Sequence, residues 1–108
     1  MTVVPAYRYR ALCLRVIDGD TYLLDIDLGF SVHTQATIRL RGVDCPEMNT
    51  DAGKAARTFV ADLIGRAVPL VVETYKDRRT FARWVADVWV GDDPLKDLII
   101  AAGHGTAA

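Results

Sequence analysis

One stretch with helical spacing, Ala52 to Ile64, interrupts a chain whose apolar residues otherwise alternate as they do in β-strands, and its position limits the folds available. Its apolar residues fall at Ala52, Ala55, Ala56, Phe59, Val60, Leu63 and Ile64. Lys54, Arg57, Thr58 and Asp62 take the wet side, and Gly65 is placed to end the helix. Three strand signals precede it. The first runs about Tyr7 to Ile17. The second runs about Thr21 to Leu28, where Tyr22, Leu24, Ile26 and Leu28 alternate with Thr21, Asp25 and Asp27. Asp18-Gly19-Asp20 between them reads as a turn. The third, about Ala36 to Val43, puts Ile38 and Leu40 on one face and Arg39 and Arg41 on the other, so its polar face is doubly cationic. After the helix come a strand from Pro69 to Tyr75, a charged loop from Lys76 to Thr80, and a strand from about Ala82 to Val90. In the last of these Trp84, Ala86, Val88 and Val90 alternate. Beyond Gly91, Asp93 and Pro94 are placed as cap and first residue of a second helix lined by Leu95, Leu98, Ile99 and Ala102 and stopped by Gly103.

The resulting order, βββαββα, predicts a mainly β chain with helices (α+β), closed into a five-stranded barrel of the OB type, which removes exposed sheet edges in a small domain. An SH3-like barrel would lack a well-formed helix between its third and fourth strands, so that helix discriminates. With 108 residues, about half of them hydrophobic, the chain is read as one domain over residues 1–108, its core spanning about 7–103. Repeats, low-complexity tracts and linkers are missing from the sequence. It also has no apolar run of about 18 residues, and arginines and tyrosines occupy Met1 to Arg10 where a signal peptide needs an apolar block. A cytoplasmic protein that does not engage membranes is expected. Cys13 and Cys45 share no metal-binding or disulfide spacing and are expected as two reduced thiols.

Thirteen basic against fourteen acidic residues give a net charge of −1, which is not the footprint of a protein holding nucleic acid by charge alone. The acids are nevertheless clustered, at Asp18/Asp20 and Asp44/Glu47. If the second and third strands form a hairpin centred near Val32, facing residues have numbers summing to about 64 and Asp20 lies opposite Asp44. Two carboxylates at one barrel rim repel unless a hard, oxygen-seeking cation sits between them, calcium or magnesium being the natural candidates. Arg39 and Arg83, the latter opening the fifth strand, supply guanidinium forks suited to the negative charge that develops when water attacks a phosphodiester. A cation site, two phosphate clamps and a spare carboxylate are the components of metal-assisted phosphodiester hydrolysis.

Three segments, Val16-Ile17-Asp18-Gly19-Asp20-Thr21, Ile38-Arg39-Leu40-Arg41-Gly42-Val43-Asp44-Cys45-Pro46-Glu47 and Phe81-Ala82-Arg83-Trp84-Val85-Ala86-Asp87-Val88, give the chain a resemblance to the thermonuclease, or staphylococcal-nuclease-like, family. The likeness covers about Ala11 to Gly103. It implies an OB-fold, calcium-dependent nuclease, an endonuclease-type hydrolase acting on DNA or RNA in single strands or frayed duplexes and leaving 3′-phosphate and 5′-hydroxyl ends. By the same resemblance the metal ligands would be the carboxylates of Asp20 and Asp44 and the backbone carbonyl of Cys45. Glu47 would be the general base, Arg39 and Arg83 the phosphate-binding arginines, and Asp18 would stand one layer behind the ligands.

The sequence departs from that pattern in places. Cys45 stands where a small hydroxyl residue or alanine is common; a main-chain ligand does not depend on that side chain. Phe81 and Ala82 replace a tyrosine and a glycine, and the sequence ends at Ala108 without counterparts of the family's last helix and base-stacking tyrosines, so weaker substrate affinity is expected. The competing expectation is a catalytically inactive OB module that binds nucleic acid or a protein partner; the retained acids and arginines argue against it. His33 and His104 are read as surface residues, Trp84 as core, and the stretch from Lys76 to Arg79 as a solvated loop able to guide a nucleic-acid backbone.

Overall fold

The computed structural model describes residues 2–80 and 83–108, the side chains of 76–80 excepted. Three strands come first, β1 (Arg8–Asp18), β2 (Thr21–Asp27) and β3 (His33–Leu40), followed by the short β4 (Val43–Asp44) and helix α1 (Asp51–Ile64). β5 (Leu70–Thr80), β6 (Arg83–Val90) and the two-residue β7 (Asp93–Pro94) lead into α2 (Leu95–Ala101) and β8 (Thr106–Ala107). The sheet runs β3-β2-β1-β5-β6-β7, and a parallel pairing of β3 with β6 closes its five long strands into a barrel. Alternation makes the closure work. Tyr22, Leu24 and Ile26 of β2, Ile38 and Leu40 of β3, and Ala86 and Val88 of β6 point inward and are buried. The mainly β, α+β barrel of OB type expected from the sequence is the fold observed. Among the described residues no helix is long and apolar enough to cross a membrane, and both cysteines are free, Cys13 within the core.

α1 closes one side of the core with a narrower stripe than the sequence indicated. Gly53, Ala56, Val60 and Ile64 are buried, whereas Ala52 and Ala55 are exposed. Thr50 caps the helix: its hydroxyl accepts from the Gly53 amide at 3.0 Å and donates to the Glu47 carbonyl at 2.6 Å. At the edge of this stripe Arg57 Nε donates to the Val16 carbonyl at 3.0 Å and ties α1 to β1.

Several expectations are corrected. The β2–β3 hairpin is centred on Phe30, with Thr21 facing Arg39 and Asp27 facing His33, so Asp20 does not lie opposite Asp44. Its carbonyl instead accepts from the Leu40 amide at 2.8 Å. β3 stops at Leu40 because the chain turns through Arg41 and Gly42, the latter at φ +84°, before Val43 and Asp44 form β4. Arg39 and Arg41 meet different partners, Arg39 the acids Asp20 and Asp44, and Arg41 the side chains of Tyr75 and Asp87. Asp93 does not cap α2; it pairs with Val90 in β7, and Pro94 precedes the helix without a side-chain cap. Gly103, at φ +79°, does end it. The stretch expected as a charged loop belongs to β5, which pairs through Thr80 with Arg83. The substitutions at Phe81 and Ala82 lie outside the described residues.

Candidate active site

The rim carrying the acids is assembled by close backbone packing rather than by strand register. Tyr22 is fully buried and its hydroxyl donates to the Gly19 carbonyl at 2.6 Å, fixing the Asp18-Gly19-Asp20 turn from beneath. Asp18 Oδ1 accepts from the Asp20 amide at 3.0 Å. Gly19 itself abuts the loop after β4: a Cβ there would sit 2.8 Å from Cys45 Cβ and Sγ and 3.1 Å from Ala56 Cβ. Only glycine lets the turn approach Cys45 this closely, and the approach brings the Cys45 amide to 3.0 Å from Asp20 Oδ2, to which it donates.

Arg39 unites the two acids. Its Nη2 lies 2.5 Å from Asp44 Oδ1 and 3.4 Å from Asp20 Oδ2, while Nη1 donates to the carbonyls of Leu40 at 2.6 Å and Val43 at 2.9 Å. The guanidinium therefore spans the Gly42 turn and holds β4 against the end of β3. Asp20 has a largely buried side chain, 13% exposed, whereas that of Asp44 is 64% exposed. Thr21 links this group to the second arginine: its hydroxyl donates to Asp20 Oδ1 at 3.3 Å and accepts from Arg83 Nη1 at 3.0 Å. Sequence reasoning missed Thr21 as a connector, although it directly follows Asp20.

Burial raises the Asp20 carboxyl above its usual range and the neighbouring Asp18 side chain adds to it; the Cys45 amide and Arg39 pull the other way without cancelling the rise. Burial, together with Asp20 and Asp18, pushes the Cys45 thiol up to about 12, so this sulfur is a protonated neighbour. The donors fit a hard cation in kind, all being oxygens of carboxylates or, at Cys45, of the main chain, and the raised Asp20 carboxyl marks where positive charge would be welcome. Among the described residues no three His, Cys, Asp or Glu side chains gather into a ready-made cage.

Glu47 is exposed, and its position is set by its backbone, which receives the Thr50 hydroxyl and amide and packs on Gly53. His104, read from the sequence as a surface residue, is partly buried with its ring 4.8 Å from that of Phe59. It adjoins a groove with Asp44, Cys45 and Pro46, because β8 pairs with β4.

A closed five-stranded barrel with α1 between its third and fourth long strands is a domain of OB type, here with paired acids and arginines on its rim. In sequence the chain is 34% identical over 68 residues to the probable staphylococcal-like nuclease CAN2 of Oryza sativa subsp. japonica. The match spans 62% of this chain and 18% of the rice protein. No family model matches the chain.

Proposed function

We propose that the chain is a calcium-dependent nuclease that hydrolyses phosphodiester bonds of DNA or RNA, leaving 3′-phosphate and 5′-hydroxyl ends. The observation that carries the reading is the continuous chain of contacts from Asp44 through Arg39 and Asp20 to Thr21 and Arg83, which gathers two carboxylates and two guanidinium groups on one rim. The likeness to a nuclease supports it. Asp20, Asp44 and the Cys45 carbonyl would hold the cation, which supplies polarisation of the phosphoryl oxygen when bound. Arg39 and Arg83 would stabilise the charge developing on the phosphate, and Glu47 would take the proton from the attacking water.

The test is hydrolysis of a fluorescent single-stranded oligonucleotide with calcium, with magnesium and with EDTA, beside Glu47→Gln. Calcium-specific cleavage lost in the variant is the expected result; an intact oligonucleotide under every condition overturns it. One observation favours a non-catalytic binding module instead: Arg39 already serves two carboxylates and two carbonyls, so a phosphate must displace some of them. Salt-sensitive binding that ignores EDTA and is never followed by cleavage identifies that module.

A further inference from the structure

β3 pairs with β6 only over Ile38 to Leu40, so among the described residues the first half of β3 has β2 alone beside it. A groove of about 430 Å³ opens there at the barrel mouth. Four aromatic side chains line it: Tyr7, Tyr9, Tyr75 and Trp84. Ile26 and Ile38 lie beneath as buried members of the core, and Thr34 and Gln35 add polar groups. Trp84, expected from the sequence to be core, is 37% exposed, and Tyr7 and Leu28 are each 40% exposed. A small barrel that leaves this much ring surface open beside a concavity has a ligand-sized site rather than a packing defect.

We propose that this groove takes an unstacked base of single-stranded nucleic acid, a subsite beside the phosphate-handling rim. The assignment rests on the nucleic-acid reading above and names where the base goes. Trp84 pairs with Ile38, and their strand neighbours Arg83 and Arg39 face the other side of the barrel wall, toward Thr21 and toward Asp20 and Asp44. The Arg41 guanidinium lies 5.0 Å over the Tyr75 ring. Arginines bordering aromatic rings are the arrangement that lets a backbone run along positive charge while its bases stack in sequence-tolerant fashion. Gln35 can both donate to and accept from a base edge. An aliphatic peptide would gain less from this ring-rich lining than a flat base does.

The test compares the affinity of the Glu47→Gln chain, in calcium, for a fluorescent oligothymidylate and for an abasic oligomer of equal length and charge. Bases should tighten binding about tenfold. Trp84→Ala should bring oligothymidylate down to the abasic level without changing abasic binding, and Trp84→Phe should restore most of the difference. If Trp84→Ala weakens abasic binding too, Tyr7→Ala, at an exposed position, is read in its place. Equal affinity for both oligomers, or a ratio indifferent to the variants, overturns the groove assignment while leaving the nuclease reading standing. Binding of neither oligomer overturns both. Self-association abolished by Trp84→Ala would mean that a second copy occupies the groove, and also overturns it.

Discussion

Gly53 packs so closely on the carbonyl oxygen of Glu47 that a Cβ built on it would lie 1.9 Å away. The carbonyl is backbone, fixed further by the Thr50 hydroxyl and amide, so the neighbour cannot yield cheaply. Gly53→Ala should therefore destabilise the fold by about 1–3 kcal/mol, the usual range for overpacking. This holds although alanine is the better helix former. Urea unfolding measures it; unchanged or increased stability would show that the turn bearing Glu47 is free to move.

Arg39 joins the largely buried Asp20 to the exposed Asp44. Removing it leaves Asp20 with its burial and its Asp18 neighbour and less to offset them. Arg39→Met should cost about 3 kcal/mol, the low end for breaking a buried pair because Asp44 stays in water. In an Asp20→Asn background the same change should cost distinctly less. A double-mutant cycle on unfolding free energies reads the difference, and additivity would sink the assignment.

The barrel was legible in the sequence because its strands announce themselves by alternation. Tyr22, Leu24, Ile26, Ile38 and Leu40 all face the core as their spacing predicts. The candidate site residues could be named from the sequence, but their arrangement could not. Symmetry about Val32 put Asp44 opposite Asp20, whereas the chain brings the acids together by breaking β3 at Gly42 and packing Gly19 on Cys45. Neither event has a periodic signature. Thr50 as cap was missed because the alanines at 52 and 55 widened the apparent apolar face toward the helix start. Trp84 is more exposed than its spacing predicts because alternation reports which way a side chain points, not whether neighbouring side chains cover it at the barrel mouth.

Tyr75 provides a pH-dependent prediction. Its hydroxyl donates to Asp87 Oδ2, which Arg41 also contacts at 3.2 Å. The hydrogen bond to Asp87, followed by burial, raises the phenol above its usual value of 10.0. A raised folded-state value means that the stability from this contact is fully present below about pH 10, where the unfolded phenol titrates, and is lost as pH rises through the folded value. Tyr75→Phe should be less stable than the parent at neutral pH, with the gap narrowing in strongly alkaline solution. Denaturation midpoints at the two pH extremes check this; a constant gap would mean that Tyr75 contributes only through its ring.

The roles proposed for Glu47 and Asp44 separate in experiment because they differ in what each atom does. Glu47 is proposed to handle a proton, so Glu47→Gln should reduce turnover by about 10²–10⁴-fold while calcium affinity, read by calorimetry, stays near the parent value. Asp44 is proposed as a ligand, so Asp44→Asn should weaken calcium binding, and saturating calcium should recover part of its turnover. Arg39 complicates the second variant usefully. Its Nη2 loses a charged partner but keeps Asp20, so folding stability should fall by no more than about 1 kcal/mol, as for an exposed ion pair. Loss of calcium affinity in Glu47→Gln equal to that in Asp44→Asn would abolish the division of labour and make Glu47 a ligand.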